Sequence, residues 1–240
     1  NGNQATLITD NATADGFPLG STSYTYDANG NTIAEGSTSI LYNLLNLPVQ
    51  VQLTAGRSIE NTYAYDGRKL ATVAMENGEL KEGTKTYNGN LVFDKNGDLE
   101  YVLFSEGRIL HDNGSFTFEY HLKDHLGSTR VAFEPTTSGT SVTQENAYYP
   151  FGGTINNLSW SVSDNRYLRE GKEYISDFGW NKHDYIGRHF DLQRGGGLQI
   201  DPMCEKYYSI SPYMLFANNP VRFVDPTGMW IEIYYDNINY

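Results

Sequence analysis

Apolar and polar residues alternate with a period of two in short runs along this chain, and each run ends in Asp, Asn or Gly. Tyr24-Thr25-Tyr26 leads into Asp27-Ala28-Asn29-Gly30-Asn31. Leu41-Tyr42-Asn43-Leu44-Leu45-Asn46-Leu47-Pro48 repeats the pattern with Asn for Asp, Tyr63-Ala64-Tyr65-Asp66-Gly67-Arg68 gives a tighter turn, and Phe93-Asp94-Lys95-Asn96-Gly97 has Phe for Tyr. The aromatics Tyr26, Tyr42, Tyr65 and Phe93 head the four copies at unequal intervals. A period of two places alternate side chains on one face of a strand. Asp followed by Asn or Gly closes a hairpin. Thr32-Ile33-Ala34 and Val49-Gln50-Val51-Gln52-Leu53 are the expected return strands. One hairpin cannot bury its face alone, so neighbouring copies must stack into a continuous sheet or spiral. The expected fold is all-β, built from stacked antiparallel hairpins; an ordinary antiparallel sandwich is the alternative.

The texture changes from about Phe116. Phe116–Leu122 and Thr129–Phe133 read as strands around Lys123-Asp124-His125-Leu126-Gly127-Ser128, where Gly127 permits a sharp bend. Pro135 to Gln144 reads as a polar exposed loop. Asn146 to Gly153 reads as an aromatic strand ending in a Gly pair, and 154–182 as irregular. Pro212 to Asn218, after Ser209 or Ser211 as cap and before Asn219-Pro220 as breaker, is the one short helix the pattern predicts.

Composition strengthens the all-β reading. The chain has 19 Tyr and 24 Gly against 4 Met. Tyrosine covers a sheet face while its hydroxyl stays in water, and glycine supplies turn conformations. The formal charge of −12 argues against nucleic acid or an anionic membrane surface as partner, since both select basic surfaces. No stretch is long and apolar enough to span a membrane as a helix, so no membrane insertion is expected. The lone Cys204 excludes an internal disulfide. A start at Asn1, without initiator Met or signal peptide, is expected of a piece of a longer protein, and localisation cannot be read from it.

The repeats and the terminal motifs together resemble the Rhs/YD-repeat family, in particular its repeat-associated core. Tyr26-Asp27-Ala28-Asn29-Gly30-Asn31 matches the repeat, and His121-Leu122-Lys123-Asp124-His125-Leu126-Gly127-Ser128-Thr129-Arg130 matches the family signature, with His121, Asp124, His125, Gly127 and Arg130 as its structural residues. Tyr149-Pro150-Phe151-Gly152, Tyr185-Ile186-Gly187-Arg188-His189-Phe190-Asp191, Ile200-Asp201-Pro202, Asn218-Asn219-Pro220-Val221 and Asp225-Pro226-Thr227-Gly228 follow in the family's order. The resemblance implies a β-sheet ribbon wound into a hollow shell, plugged at one end by the core. It divides the chain into hairpin repeats at 1–115, the core at 116–229 and the start of a variable C-terminal extension at 230–240. Its expected partners are the preceding repeats and a downstream C-terminal domain of the same polypeptide, often a toxin. It suggests a secreted or cell-surface setting.

The resemblance also implies a possible chemistry. In several family members the core is an aspartic-type protease that cuts its own chain after the last motif. Two carboxyls sharing one proton can do this, one taking a proton from water and the other donating. The matching residues are Asp201 and Asp225, and the expected scissile bond joins Met229 to Trp230. Three features depart from the cleaving pattern: Met229 replaces Leu, Asp201-Pro202-Met203-Cys204 lacks a Gly, and Ile200 stands where a basic residue helps in some relatives. Asp-Pro-x-Gly is also a good turn sequence, so Asp225-Pro226-Thr227-Gly228 has a purely structural reading. A structural shell-and-plug module, a self-cleaving protease and an adhesion or carbohydrate-binding module therefore stand as alternatives. The five histidines lack metal-ligand spacing, so neither metal nor cofactor is expected. Hydrogen bonds around Asp124 and Arg130 are the expected role of His125, and a buried structural thiol that of Cys204.

Overall fold

The computed structural model describes residues 2–11, 19–191 and 194–233. Among these residues an antiparallel sheet of 16 strands runs from Leu7–Asp10 to Trp160–Ser161, each strand pairing with the next along the chain. The short strand Glu79–Leu80 branches off the path, on Lys69–Glu76. The sheet continues without interruption through Phe116. The all-β fold of stacked hairpins is thus the observed one.

One five-residue turn recurs along this sheet. In the first copy Asp27 N donates to Asn31 O, Gly30 N donates to Asp27 O, and Asp27 Oδ1 accepts from Asn31 N at 2.7 Å. The same backbone pair closes Asn43–Leu47, Ala64–Arg68 and Asp94–Asp98. The carboxyl or amide oxygen of the first residue caps the fifth N–H in the copies that start with Asn43 and Asp94. The fourth position is left-handed, filled by Gly30 at φ +83° and by Asn46 at φ +58°, the residues that tolerate it best. A bulge precedes each turn, at Tyr26, Tyr42, Tyr63 and Phe93. The third copy is therefore headed by Tyr63. Tyr65, chosen from the sequence, is the second residue of its turn and is almost fully exposed. Ala64 has no side-chain oxygen to offer, so Asp66 Oδ1 accepts from Arg68 N instead.

The signature segment is a further copy. Asp124 N donates to Ser128 O, Gly127 N to Asp124 O, and Ser128 N to Asp124 Oδ1, with a bulge at Lys123. Tyr149–Gly153 and Leu168–Lys172 repeat the same two backbone bonds in the terminal block.

The sheet's inner face changes character along the chain. Ile40, Val51 and Ile59 are fully buried against Ile175, Trp180 and Leu198 of the terminal block. Burying each such side chain is worth about 2 kcal/mol. Further along, the buried face is polar: Arg108 Nε donates to Glu119 Oε1 at 2.7 Å, with His121 Nε2 at 3.1 Å from the same oxygen. Burial alone would raise the Glu119 carboxyl, but His121 and Arg108 hold it down to about 2. The opposite face carries an aromatic row, with Phe118, Tyr120, Phe104 and Phe133 in ring contact and Phe116 and Leu122 exposed.

The terminal block holds a second sheet of four short strands, Glu173–Ile175, Lys182–Asp184, His189–Asp191 and Gly196–Gly197. Three sequence expectations fail nearby. Pro135 to Gln144 is no loop: Thr129–Thr136 and Gly139–Glu145 pair as a hairpin, because cross-strand bonds satisfy this polar stretch as well as water would. Asn146 to Gly153 is not a strand; Tyr148 bridges to Thr154 across the turn at Tyr149–Gly153. Pro212 to Asn218 forms no helix. Phe216, Ala217 and Asn218 take left-handed backbone angles in a 3-10 turn, and Phe216 is buried beside Tyr185, Phe190 and Leu215. Burial of Phe216 outweighs local preference there.

Candidate site at the Asp201–Asp225 pair

Asp201 follows the strand Gly196–Gly197 and opens the 3-10 turn Cys204–Lys206. Its backbone N–H donates to Pro212 O at 2.9 Å, and its Oδ1 accepts from Met203 N at 2.7 Å. Asp225 follows the short strand Phe223–Val224 and is fully buried. The two carboxyls meet at one cation. Arg188 Nη2 lies 2.8 Å from Asp201 Oδ2 and 3.1 Å from Asp225 Oδ2, so the sum of those contacts is the most that can separate the two oxygens. Arg188 is itself fully buried, donates through Nε to Gly228 O, and lies over the Phe190 ring. The cation absent at position 200 thus arrives from the connection between the strands Lys182–Asp184 and His189–Asp191. Burial pushes the Asp201 carboxyl up and Arg188 pulls it back, leaving it above the usual carboxylate range.

The other oxygen of Asp225 holds the chain that follows. Asp225 Oδ1 accepts from Met229 N at 3.0 Å and from Trp230 N at 3.1 Å, so it touches the nitrogen of the Met229–Trp230 peptide. The approach is fixed on both sides. Gly187 N donates to Thr227 O at 3.0 Å, and Gly228 takes φ +75°. A Cβ at Gly228 would stand 3.0 Å from both Arg188 N and Tyr185 O, so the connection that carries Arg188 can pass this close only where the residue is glycine. Beyond the peptide, Lys206 Nζ sits 3.9 Å from the Trp230 ring centroid, Ile231 N donates to Tyr207 Oη at 3.3 Å, and Glu232–Ile233 pairs with Phe223–Val224. The chain thus bends through 226–229 while the Asp225 side chain holds the peptide that follows.

The signature residues divide. Asp124 and Gly127 close their own turn, and Arg130 Nη1 lies 3.9 Å from Asp124 Oδ2. His121 belongs to the buried Glu119 pair. His125 reaches into the terminal block, where its Nε2 lies 3.0 Å from Val221 O. Cys204 is only partly buried, on the turn that Asp201 opens. Burial holds His183 down to about 3 and lowers His189 as well. Among the described residues no three metal-ligating side chains converge.

Two residues of this site escaped the sequence reading. Arg188 stands inside the motif Tyr185–Asp191, and its spacing from Asp201 carries no periodic signal. Glu170 stands in a stretch read as irregular, yet its Oε2 accepts from Asp225 N at 3.3 Å and its Oε1 lies 3.2 Å from Arg169 Nε. Only the fold makes either one visible.

No family model matches the chain. It is similar to the tRNA3(Ser)-specific nuclease WapA of Bacillus spizizenii, at 27% identity over 222 residues, covering 87% of this chain and 9% of that protein. It is also similar to the tRNA nuclease WapA of Bacillus subtilis, at 26% identity with 87% and 11% covered. The chain thus spans only about a tenth of these curated relatives. Among solved structures, the Photorhabdus luminescens Tc holotoxin pore with a mutated TccC3 shares the fold at a TM-score of 0.69 and 21% identity, covering 88% of this chain and 11% of that one. A crystal structure of TcdB2-TccC3 also scores 0.69, at 20% identity with 85% and 11% covered. Sequence likeness to WapA and a shared fold with TccC3-containing structures together support an Rhs-type relationship for this chain.

Proposed function

We propose that this chain is the closing end of an Rhs-type β-shell, a structural module whose terminal block caps the hairpin sheet and holds the segment that follows. The contact between the two parts supports this reading. Ile40, Val51 and Ile59 pack on Ile175, Trp180 and Leu198, and Lys69 Nζ bridges to Glu173 at 2.7 Å and Asp184 at 2.8 Å. A cap with an apolar seam resists opening, because opening returns that surface to water, and enclosing a downstream toxin-like domain requires such resistance. Limited proteolysis of the full-length protein tests it. The downstream region should resist digestion in the native protein and become sensitive when Ile59→Asp and Trp180→Asp open the seam. Equal resistance in both would end the reading.

The grip on the Met229–Trp230 peptide favours a second function for the same block: self-cleavage at that bond. One water is consumed. Its oxygen joins the Met229 carbonyl carbon, Asp201 takes one of its protons, and the proton shared by the pair leaves with the Trp230 amine as the C–N bond breaks. Asp225 Oδ1 accepts the N–H of the departing nitrogen at 3.1 Å, so Asp225 stands beside that nitrogen when the tetrahedral carbon frees its lone pair to take the proton. Arg188 keeps two carboxyls together that would otherwise repel. In a chain extended past Tyr240, intact mass should reveal a product ending at Met229, and Asp201→Asn and Asp225→Asn should each abolish it. A product that survives either substitution would refute the assignment.

A further inference from the structure

Four side chains from two turns distant in sequence hold the segment Pro220 to Pro226, which leads into the gripped peptide. Arg169 Nη2 donates to Pro220 O at 2.6 Å, His125 Nε2 lies 3.0 Å from Val221 O, and Lys172 Nζ donates to Pro226 O at 2.6 Å. These three meet carbonyls. Glu170 differs, since its carboxyl takes the backbone N–H of Asp225 itself. Glu170 is in turn fixed by the signature turn. Its N–H donates to Ser128 Oγ at 3.2 Å, Thr129 N donates to Leu168 O at 3.0 Å, and Glu170 takes a left-handed φ of +53°.

We propose that Glu170 is a positioning residue for Asp225, carrying the geometry of the signature turn to the Asp225 backbone and so aiming its carboxyl at Arg188 and Trp230 N. The inference rests on, and deepens, the self-cleavage reading. Glu170 touches neither the scissile peptide nor the other aspartate, so it acts through Asp225. Its charged and titratable surroundings are Arg169 and Lys172 on its own turn, Asp225 on the segment it holds, and Tyr185 from the connection that carries Arg188. Burial pushes the Glu170 carboxyl up to about 7, against the pull of Arg169 and Lys172. The group therefore changes charge near neutral pH. Ionised, it accepts charge-assisted bonds from Arg169 and from Asp225 N; protonated, it accepts them more weakly.

Two measurements on wild type, Glu170→Gln and Glu170→Ala test this. The first is amide hydrogen exchange across 223–230, corrected for the intrinsic pH dependence; the second is the cleavage rate in the extended chain. In wild type, protection at Asp225 should rise roughly tenfold between about pH 6 and 8, the size of one charged hydrogen bond. Glu170→Gln keeps an acceptor oxygen and should flatten that rise. Glu170→Ala should lose about tenfold protection at the upper pH while exchange in Arg57–Tyr63 stays unchanged. The cleavage profile should follow the same order, so a merely structural loss, equal at all pH values, would not mimic it. Wild type that shows the pH-dependent protection but never cleaves defeats the self-cleavage reading and leaves the Glu170 grip standing. Unchanged protection in Glu170→Ala, or a full pH rise in Glu170→Gln, overturns the proposal whether or not the chain cleaves.

Discussion

Replacing Arg188 with Met removes one cation from between two carboxyls and keeps most of the side-chain volume. Asp225 is fully buried and Asp201 nearly so, and Arg188 is the cation that meets both. Breaking a buried pair from one side costs about 3–5 kcal/mol, because the partner's charge stays behind. The bond to Gly228 O is lost as well. For a chain of this size that loss lowers Tm by roughly 6 to 20 °C. The pH dependence has a definite sign. Without Arg188, the pull that offsets burial at Asp201 is lost, and that carboxyl rises further above its unfolded value of about 3.9. A carboxyl raised on folding costs stability above its unfolded pKa, and the cost fades as pH falls below it. The deficit of Arg188→Met should therefore be full at about pH 7 and much smaller near pH 3.5. Urea unfolding followed by tryptophan fluorescence measures both, with Trp180 reporting on the seam and Trp230 on the site. A loss below about 1 kcal/mol, or an equal loss at the two pH values, would refute the claim that Arg188 neutralises a buried acidic pair.

Two further substitutions probe the packing. Gly228→Ala should cost at least about 2 kcal/mol, since it combines a left-handed backbone with Cβ contacts at 3.0 Å, and calorimetry would show it as a lowered Tm. Ile59→Ala should cost about 2–5 kcal/mol by opening a cavity under Trp180 and Leu198; an unchanged urea midpoint would mean that the seam carries little stability.

Local chemistry made much of the fold legible. Hairpin turns that open on Asp or Asn and carry Gly or Asn fourth need no distant partner, so Asp27, Asn43 and Asp94 mark their turns in the sequence. The limits of that signal are equally local. Ala64 lacks a capping oxygen, so the sequence pattern slipped to Tyr65, two residues past the true bulge at Tyr63. The signature segment reads as two strands around a loop bent at Gly127, and Asp124 caps that loop as Asp94 caps its own turn. Pro212 to Asn218 had helix-like ends, but Phe216 had a tertiary core to enter.

The sequence by itself determined the repeating hairpin, the stacking it demands and the positions of the two aspartates. Each rests on residues within a few positions of one another, where backbone preference and alternation suffice. Only the tertiary structure decided that Asp201 and Asp225 meet, because the cation that joins them comes from a separate connection and the oxygen aimed at Trp230 N depends on Glu170, Gly187 and Gly228. It also decided which sheet face is covered. The face under the terminal block is apolar near Ile59 but carries Arg108 and Glu119 further on, while Phe116 and Phe118 stand outside. Alternation fixes that the two faces differ; what packs on each is a property of the whole chain.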